Sequence, residues 1–400
     1  MSEPAGRVVL KPQKARPLFG RHPWVFSGAI ARVIGEPAPG DEVAVFSYEG
    51  EFIAWGLFNP HSQIHVRLYS WDYDRKLTTD FWREQLDQAV ALRRDVLGLL
   101  SPTTACRLVF SEADGLSGLI ADWYAGWLAV QVTSLGIYKR LEMLAPVLME
   151  LTGARGVYVR TEKGMKEAEG IELQDGPLLG EEPPETVQIE ENGLKFAVNI
   201  RVGHKTGWYL DQRENRRAVA RYAAGRRVLD LFSYAGGFGL LCARFGAAEV
   251  VAVDSSEAAL TLAEQNAALN QITNFRTRKE DIVRWLAEEP GEGDLWDMII
   301  LDPPRLARKK KGINGAVRGY LHLNRAALRR LRPGGILVTC SCSGLVTREL
   351  FLEVIRQAAF DAGKGLQILE HRGAAPDHPV SVYCPENDYL KCLICRVQPL

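Results

Sequence analysis

Asp230-Leu231-Phe232-Ser233-Tyr234-Ala235-Gly236-Gly237-Phe238-Gly239 is the stretch on which the fold turns. A short apolar run, Val228–Leu231, leads into it, and a helical pattern leaves it. Strand, glycine-rich loop and helix in that order place backbone amides and a helix N-terminus against a ligand. A dinucleotide fingerprint would need G-x-G-x-x-G, and Cys242 stands where its third glycine belongs.

Working outward, Val250–Val253, Asp297–Leu301 and Ile336–Thr339 are further short apolar runs bounded by turns, as buried parallel strands should be. Amphipathic stretches such as Ser256–Asn270 and Leu321–Leu331 separate them. From residue 186 to 400 the alternation predicts a doubly wound α/β sheet with ligands beyond the C-terminal strand ends. Asp254 closes the second strand, where an acid can accept both hydroxyls of a ribose, and Asp281 follows the third, where a carboxylate can take an adenine amino group. Alone, each acid would pass for a cap or a surface charge. A hairpin, Val187–Ile189 with Leu194–Ile200, opens this region.

Two regions precede it. Residues 1–70 hold short alternating runs between Gly, Pro and Asn turns, a small β-rich module. Its start carries Lys11, Arg16 and Arg21 among other cations and no acid from Arg7 to Arg21, then Trp24 and Phe26. Cations beside aromatics suit RNA, whose phosphates want charge and whose unstacked bases want flat rings. Residues 71–185 alternate helical spacing (Phe81, Trp82, Leu86, Ala89, Val90) with strand-like runs, an α+β middle domain, and the Gly-Pro and Pro-Pro pairs at Gly176–Pro184 predict a linker.

The 400 residues carry 49 Lys plus Arg and 49 Asp plus Glu, so a charged partner must be met by a local patch. Seven cysteines spread over so long a chain, after a polar basic start without an apolar export segment, read as reduced thiols in the cytoplasm. No apolar run approaches the ~18 residues of a membrane span, so no membrane partner is expected.

Further motifs end the later strands: Asp302-Pro303-Pro304-Arg305, and Thr339-Cys340-Ser341-Cys342-Ser343-Gly344. With the Asp230–Gly239 loop, Asp254, Asp281 and the stretch Thr206–Arg216, they resemble class I S-adenosylmethionine-dependent methyltransferases. More closely they resemble the ribosomal RNA large subunit methyltransferase I family, which makes 5-methylcytosine. The resemblance implies a Rossmann-like methyltransferase domain behind an N-terminal PUA-like domain and an α+β middle domain, matching the regions above. It implies S-adenosylmethionine as cofactor, with Tyr209, Gln212 and Arg213 enclosing it, Ser233 and Gly236 at its methionine end, and Asp254 and Asp281 on ribose and adenine. Asp302 joins both the cofactor and the catalytic set.

Amino-group methyltransferases of nucleic acids place an aromatic in the fourth position of the tetrad; Arg305 stands there instead, which argues against that chemistry. Carbon 5 of cytosine is a poor nucleophile, and a thiolate added to carbon 6 activates it. Cys340 and Cys342 are the candidates, two apart on one strand and so on one face if the strand stays regular. Cys342 lies further past the strand end, and by the family's spacing from Gly334-Gly335 it takes the nucleophile's place, with Cys340 packed behind. Asp302 would bond the cytosine ring or amino group. No residue presents itself as the base that removes the carbon 5 proton. Cys392 and Cys395 make a single pair on opposite faces of a strand and read as structural; His22, His204 and His322 have no ligand spacing, so no metal is expected.

Between Arg305 and Arg332 ten cations, Arg305, Arg308, Lys309, Lys310 and Lys311 first, run without an acid. Following the tetrad directly, they read as a phosphate track, its first half a mobile loop because of Gly312, Gly315 and Gly319. The expected partner is RNA, in particular large-subunit ribosomal RNA. Guanine N7 as acceptor, which needs no cysteine, and a non-catalytic RNA-binding module remain as other readings. Whether two copies form a homodimer is left open.

Overall fold

The computed structural model describes residues 5–162, 164–291, 295–307 and 309–398. The chain divides into two compact units. One comprises Met1–Ile189, Val198–Leu210 and Pro376–Asn387; the other comprises Glu190–Ala197, Asp211–Ala375 and Asp388–Leu400. Among the described residues no helix is long and apolar enough to cross a membrane.

The first unit contains a six-stranded sheet from Gly6–Leu10 to Ile64–Ser70 and a five-stranded sheet from Ala105–Phe110 to Gly176–Gly180. Strand Glu42–Phe46 shows why both belong to one unit. Val43 and Val45 enter the core of the first sheet, whereas Ala44 packs with Trp55, Leu57, Phe81 and Trp82 in the core of the second. Successive residues point to opposite faces, so one strand feeds two cores. Helices Thr79–Ala91 and Leu141–Thr152 bury Leu86, Val90, Leu144 and Leu148 in that second core. Gly176–Gly180, expected to lie in a linker, instead pairs antiparallel with Gly156–Arg160 at the sheet edge. An edge strand spares Pro177 the ladder bond it cannot donate, which is why the Gly-Pro pair misled.

The second unit is built on seven strands: β1 (Arg227–Leu231), β2 (Glu249–Asp254), β3 (Phe275–Lys279), β4 (Trp296–Leu301), β5 (Leu331–Ser341), β6 (Gly365–Arg372) and β7 (Lys391–Gln398). Their order is β3-β2-β1-β4-β5-β7-β6. The pairs among β1 to β5 are parallel; β7 runs antiparallel to β5 and β6. The order reverses at β1, so the C-terminal ends of β1 and β4 flank the crevice where such sheets bind ligands. Helices α1 (Gly237–Arg244), α2 (Glu257–Leu269), α3 (Ile282–Ala287), α4 (Ile313–Arg329) and α5 (Arg348–Asp361) accompany the strands.

Helix α4 corrects the expected mobile loop: Gly315 and Gly319 lie inside it. Each glycine costs about 1 kcal/mol against alanine. Ala316, Tyr320, Leu323 and Ala327, recurring at helical spacing and all buried, offset that cost.

Candidate active site

The β1–α1 loop is held in a conformation that side chains ordinarily avoid. Phe232, Tyr234 and Gly236 have φ of 61°, 49° and 83°. Alternating left-handed residues turn backbone N–H groups toward one concavity, and such strain gathers where a ligand is held. At Gly236 a Cβ would stand 3.1 to 3.2 Å from Leu240, Ala263 and Phe275, so a side chain there would crowd all three besides adopting an unfavourable φ.

Asp230 and Asp254 brace this loop. Asp230 is buried and accepts from Gly239 N at 2.8 Å. Burial, with the Asp302 and Asp254 carboxylates adding to it, pushes its carboxyl up to about 8 against the Gly239 N–H, so it is mostly neutral at pH 7. Asp254 accepts from Tyr234 N at 2.9 Å and Ser256 N at 3.0 Å, which orients it and leaves lone pairs for a further donor. Ser233 is 8% exposed, and its hydroxyl has no hydrogen-bond partner. An orphaned hydroxyl in a strained loop at a helix N-terminus fits an amino-acid-like group with its own donors and acceptors. Asp281 is exposed and caps α3, its Oδ1 accepting from Arg284 N at 3.1 Å.

The ends of β4 and β5 carry a second arrangement. Gln212 Nε2 donates to Asp302 Oδ2 at 3.0 Å, while Gln212 Oε1 accepts from Asn215 Nδ2 at 2.6 Å. Asn215 also donates to Gly373 O at 2.9 Å, and its Oδ1 accepts from Arg372 Nε at 3.0 Å. The chain Arg372, Asn215, Gln212, Asp302 therefore has one direction: guanidinium can only donate, so both amides are fixed and the Gln212 NH₂ must face the carboxylate. Cys342 follows the last residue of β5, is half-buried, and sets its Sγ 3.9 Å from Pro303 O. Cys340 is fully buried opposite Cys392 on β7. The Cys392 thiol and burial push its own thiol well up, so Cys340 is an inert core group. Cys392 and Cys395 are buried as well.

Comparison with known proteins agrees with this architecture. A family model for S-adenosylmethionine-dependent methyltransferases matches residues 111–392, and one for PUA-like domains matches residues 8–71. A solved chain described as a SAM-dependent methyltransferase from Streptococcus mutans superposes with a TM-score of 0.83 at 21% identity, over 98% of this chain and 100% of that one. Ribosomal RNA large subunit methyltransferase I of Aeromonas salmonicida is 42% identical, covering 98% of this chain and 99% of its own. The proteins of that name from Tolumonas auensis and Escherichia coli are 43% and 39% identical, over 97% and 98% of this chain and 98% and 99% of theirs. The chain belongs to the ribosomal RNA large subunit methyltransferase I family.

As a family member it is an S-adenosylmethionine-dependent methyltransferase with a PUA-like N-terminal domain, and the β1–β2 loops supply a fitting cradle. Arg213 is buried beside Glu214, its Nε 3.3 Å from Oε1. Tyr209 belongs to the first unit, where Lys205 Nζ lies 4.4 Å from its ring centroid.

The residues that charge and aromatic patterning mark for RNA fall into three groups. Arg305, Lys309 and Lys311 are exposed; Arg308 lies outside the described residues, as does the side chain of Lys310. The far end of the cation run is spent internally. Arg330 is 1% exposed and donates to the carbonyls of Leu286, Trp285 and Glu288, while Arg329 pairs with Glu289 and Arg332 with Asp297. Of the cations expected to form a phosphate track, Arg318 and those next to the tetrad thus remain exposed, without an acidic partner among the described residues. In the first unit Arg16 and Arg21 are exposed, Lys11 donates to Gly28 O at 2.9 Å, and half-buried Trp24 donates to Glu112 at 3.0 Å. His22, without ligand spacing in sequence, meets Cys384 and Glu386 in the fold. Its Nδ1 accepts from Trp24 N at 3.3 Å, which leaves Nε2 as the protonated nitrogen facing Glu386 at 3.5 Å, a hydrogen bond.

Asn215 and Arg372 were not singled out from sequence. Asn215 stands inside the quoted Thr206–Arg216 motif, but its bond to a residue 157 positions away has no local signal.

Proposed function

We propose that this methyltransferase forms 5-methylcytosine in large-subunit ribosomal RNA through a covalent bond between Cys342 and carbon 6 of the base. The observation that carries the reading is the position of Cys342: half-buried, just past β5, with its sulfur against the carbonyl of the residue after Asp302. Relatives carrying the name of a ribosomal RNA large subunit methyltransferase support the substrate class.

Ser233, Gly236 and Asp254, together with Tyr209, Gln212, Arg213 and Asp281, would hold S-adenosylmethionine, which supplies an electrophilic methyl group on a sulfonium. Asp302, oriented by Gln212, would accept a hydrogen bond from the cytosine amino group and so hold the base with carbon 6 against the sulfur. The Cys342 sulfur donates an electron pair to carbon 6, which gives carbon 5 the enamine character it needs as a nucleophile. After methylation, loss of the carbon 5 proton returns the electron pair through the ring and expels the thiolate. Arg305, Lys309 and Lys311, with Arg308 and Lys310, would meet the phosphates flanking the target. Lys11, Arg16, Arg21 and Trp24 would meet a more distant part of the RNA. The same reading divides the chain at residues 70 and 185 and places it in the cytoplasm, where ribosomal RNA is met.

The decisive experiment is nucleoside mass spectrometry of 23S-type ribosomal RNA from a strain lacking this gene. One 5-methylcytosine should vanish and return with the wild-type gene but not with Cys342→Ala. Loss of 7-methylguanosine in its place would overturn the cytosine assignment.

A further inference from the structure

The first unit holds a cavity of about 650 Å³ that the methylation chemistry leaves unused. The strand end at residues 68–71, the helix Thr79–Ala91, the turn at residues 112–117 and the stretch around Tyr383 line it. Its volume is that of a pocket for a small organic group, a nucleotide included.

The walls of this cavity are fixed. The helix runs on into a π turn, Leu92–Val96, which carries the fully buried Arg93. Arg93 donates to Asp114 Oδ1 and to Asp377 O, each at 2.7 Å, and so ties the 112–117 turn to the segment that bears Tyr383. The Arg107 N–H adds a bond to Asp377 Oδ2 at 2.9 Å.

Most of the charge around the cavity is spent on that framework. Glu112 accepts from Arg67 at 3.1 Å, Trp24 at 3.0 Å and Ser117 at 2.7 Å. Asp114 accepts from Phe110 N at 2.6 Å besides Arg93, and Arg75 pairs with Glu84 at 2.6 Å. Asp72, exposed, accepts from Asp74 N at 3.0 Å. What remains is a different set. Arg21 is exposed, has no acidic partner among the described residues, and lies 5.8 Å from the centroid of the Tyr383 ring, itself 46% exposed. Its φ of 65° belongs to a region that favours glycine, so the side chain is kept there against the backbone's preference. Gln85 and Gln88, neighbours on one helix face, both line the cavity, and neither amide is hydrogen-bonded among the described residues.

A flat ring, a guanidinium and two amides, each amide with donors and an acceptor, meet the three needs of an unpaired nucleotide: a face to stack on, a cation for the phosphate and partners for the base edge. A duplex has its base faces stacked and its pairing edges taken, so it can offer this set only phosphate. We propose that the cavity receives one unpaired nucleotide of the RNA substrate in addition to the target base, stacked on Tyr383, bonded at its edge by Gln85 and Gln88, with its phosphate on Arg21. The proposal rests on the reading of the substrate as RNA and is independent of which base is methylated.

The full chain is titrated, with fluorescence anisotropy as readout, into a labelled single-stranded RNA of about 12 nucleotides and into the same RNA as a blunt duplex. Tyr383→Ala should weaken the single strand about tenfold and leave the duplex and S-adenosylmethionine affinity unchanged, while Tyr383→Phe should bind as wild type. Replacing both Gln85 and Gln88 by Leu should also weaken the single strand selectively. Arg21→Gln should flatten the slope of log affinity against log salt by about 0.7. With 4-thiouridine in the single strand, ultraviolet crosslinks mapped by peptide mass spectrometry should include Tyr383 or its immediate neighbours. Equal losses on both probes in Tyr383→Ala, or crosslinks confined to residues 305–311, would overturn the proposal. Wild-type affinity of Tyr383→Ala for both probes would overturn the cavity alone, whereas failure of the wild type to bind either probe would overturn the RNA reading with it, so the two failures are distinguishable.

Discussion

The two ends of the catalytic crevice are built differently. At the β1–β2 end, residues 230 to 256 form the cradle almost alone, with backbone N–H groups meeting Asp230 and Asp254 and a strained loop presenting one orphaned hydroxyl. At the β4–β5 end the groups proposed to act are side chains from positions 212, 215, 302, 342 and 372, far apart in the chain. A site made of backbone spreads its function over many bonds, and one made of side chains concentrates it. Substitutions should therefore cost more at the second end and act on turnover, while those at the first act on cofactor affinity.

The largest expected effect is at Cys342. Cys342→Ala should lower methyl transfer at least ~10³-fold with S-adenosylmethionine affinity unchanged by calorimetry, since a nucleophile has no partial substitute. Cys340→Ala should stay largely active, its thiol being core. RNA bearing 5-fluorocytosine at the target should be trapped covalently by wild type and not by Cys342→Ala. Trapping that followed Cys340 would reverse the roles, and a fully active double variant would end the covalent scheme.

Gln212 sharpens the comparison, because the family resemblance places it on the cofactor while its hydrogen bonds place it on Asp302. Gln212→Leu keeps the volume and removes the N–H. A bond to a carboxylate is worth about 1.5–3 kcal/mol, so turnover should fall roughly 10- to 100-fold with cofactor affinity nearly unchanged. A fall in affinity with turnover intact would return Gln212 to the cofactor end.

Why one end was legible and the other was not follows from where each signal lies in the chain. The β1 loop, Asp254 and the strand-helix alternation are local, and a periodicity of residues suffices to place them. That Cys342 stands past the strand end while Cys340 is sealed against Cys392 was legible in part. The spacing offered one face for both, and β5 ending at Ser341 separates them. The chain Arg372, Asn215, Gln212, Asp302 joins the end of β6 to the end of β4 across a sheet in which β7 lies between β5 and β6, an order no local pattern encodes. The cation run misled for a related reason. Charge alone cannot tell Arg330, which closes α3 carbonyls from inside, from the exposed Lys309 and Lys311.

At the cofactor end a smaller effect is expected from Asp254. If Asp254 accepts from the ribose as proposed, Asp254→Ala deletes that acceptor together with the two bonds that orient it, so affinity for S-adenosylmethionine should fall at least about tenfold while turnover at saturating cofactor stays within a few-fold. Unchanged affinity in a folded variant would show that the loop's backbone carries the binding without the carboxylate.

The last effect touches stability and leaves catalysis aside, and it comes from Asp230. Its carboxyl is pushed up to about 8 in the fold, against about 3.9 in an unfolded chain. Between those values the folded state holds a proton that the unfolded chain has lost. Stability from this group is therefore fully present below about pH 4 and declines as pH rises towards 8, by at most about 1.4 kcal/mol per pH unit. Above 8 the carboxylate is ionised in both states and the decline stops. Asp230→Asn keeps an oxygen that accepts from Gly239 N–H and removes the charge, so it should mimic the protonated form at every pH. Melting temperatures of wild type and variant should then nearly coincide at pH 4.5 and separate progressively up to pH 8, the variant being the more stable. Parallel curves from pH 5 to 9 would mean that Asp230 is ionised within the fold throughout. The Gly239 amide would then face a full negative charge, and the cofactor end would share the concentrated, charge-dependent construction of its neighbour.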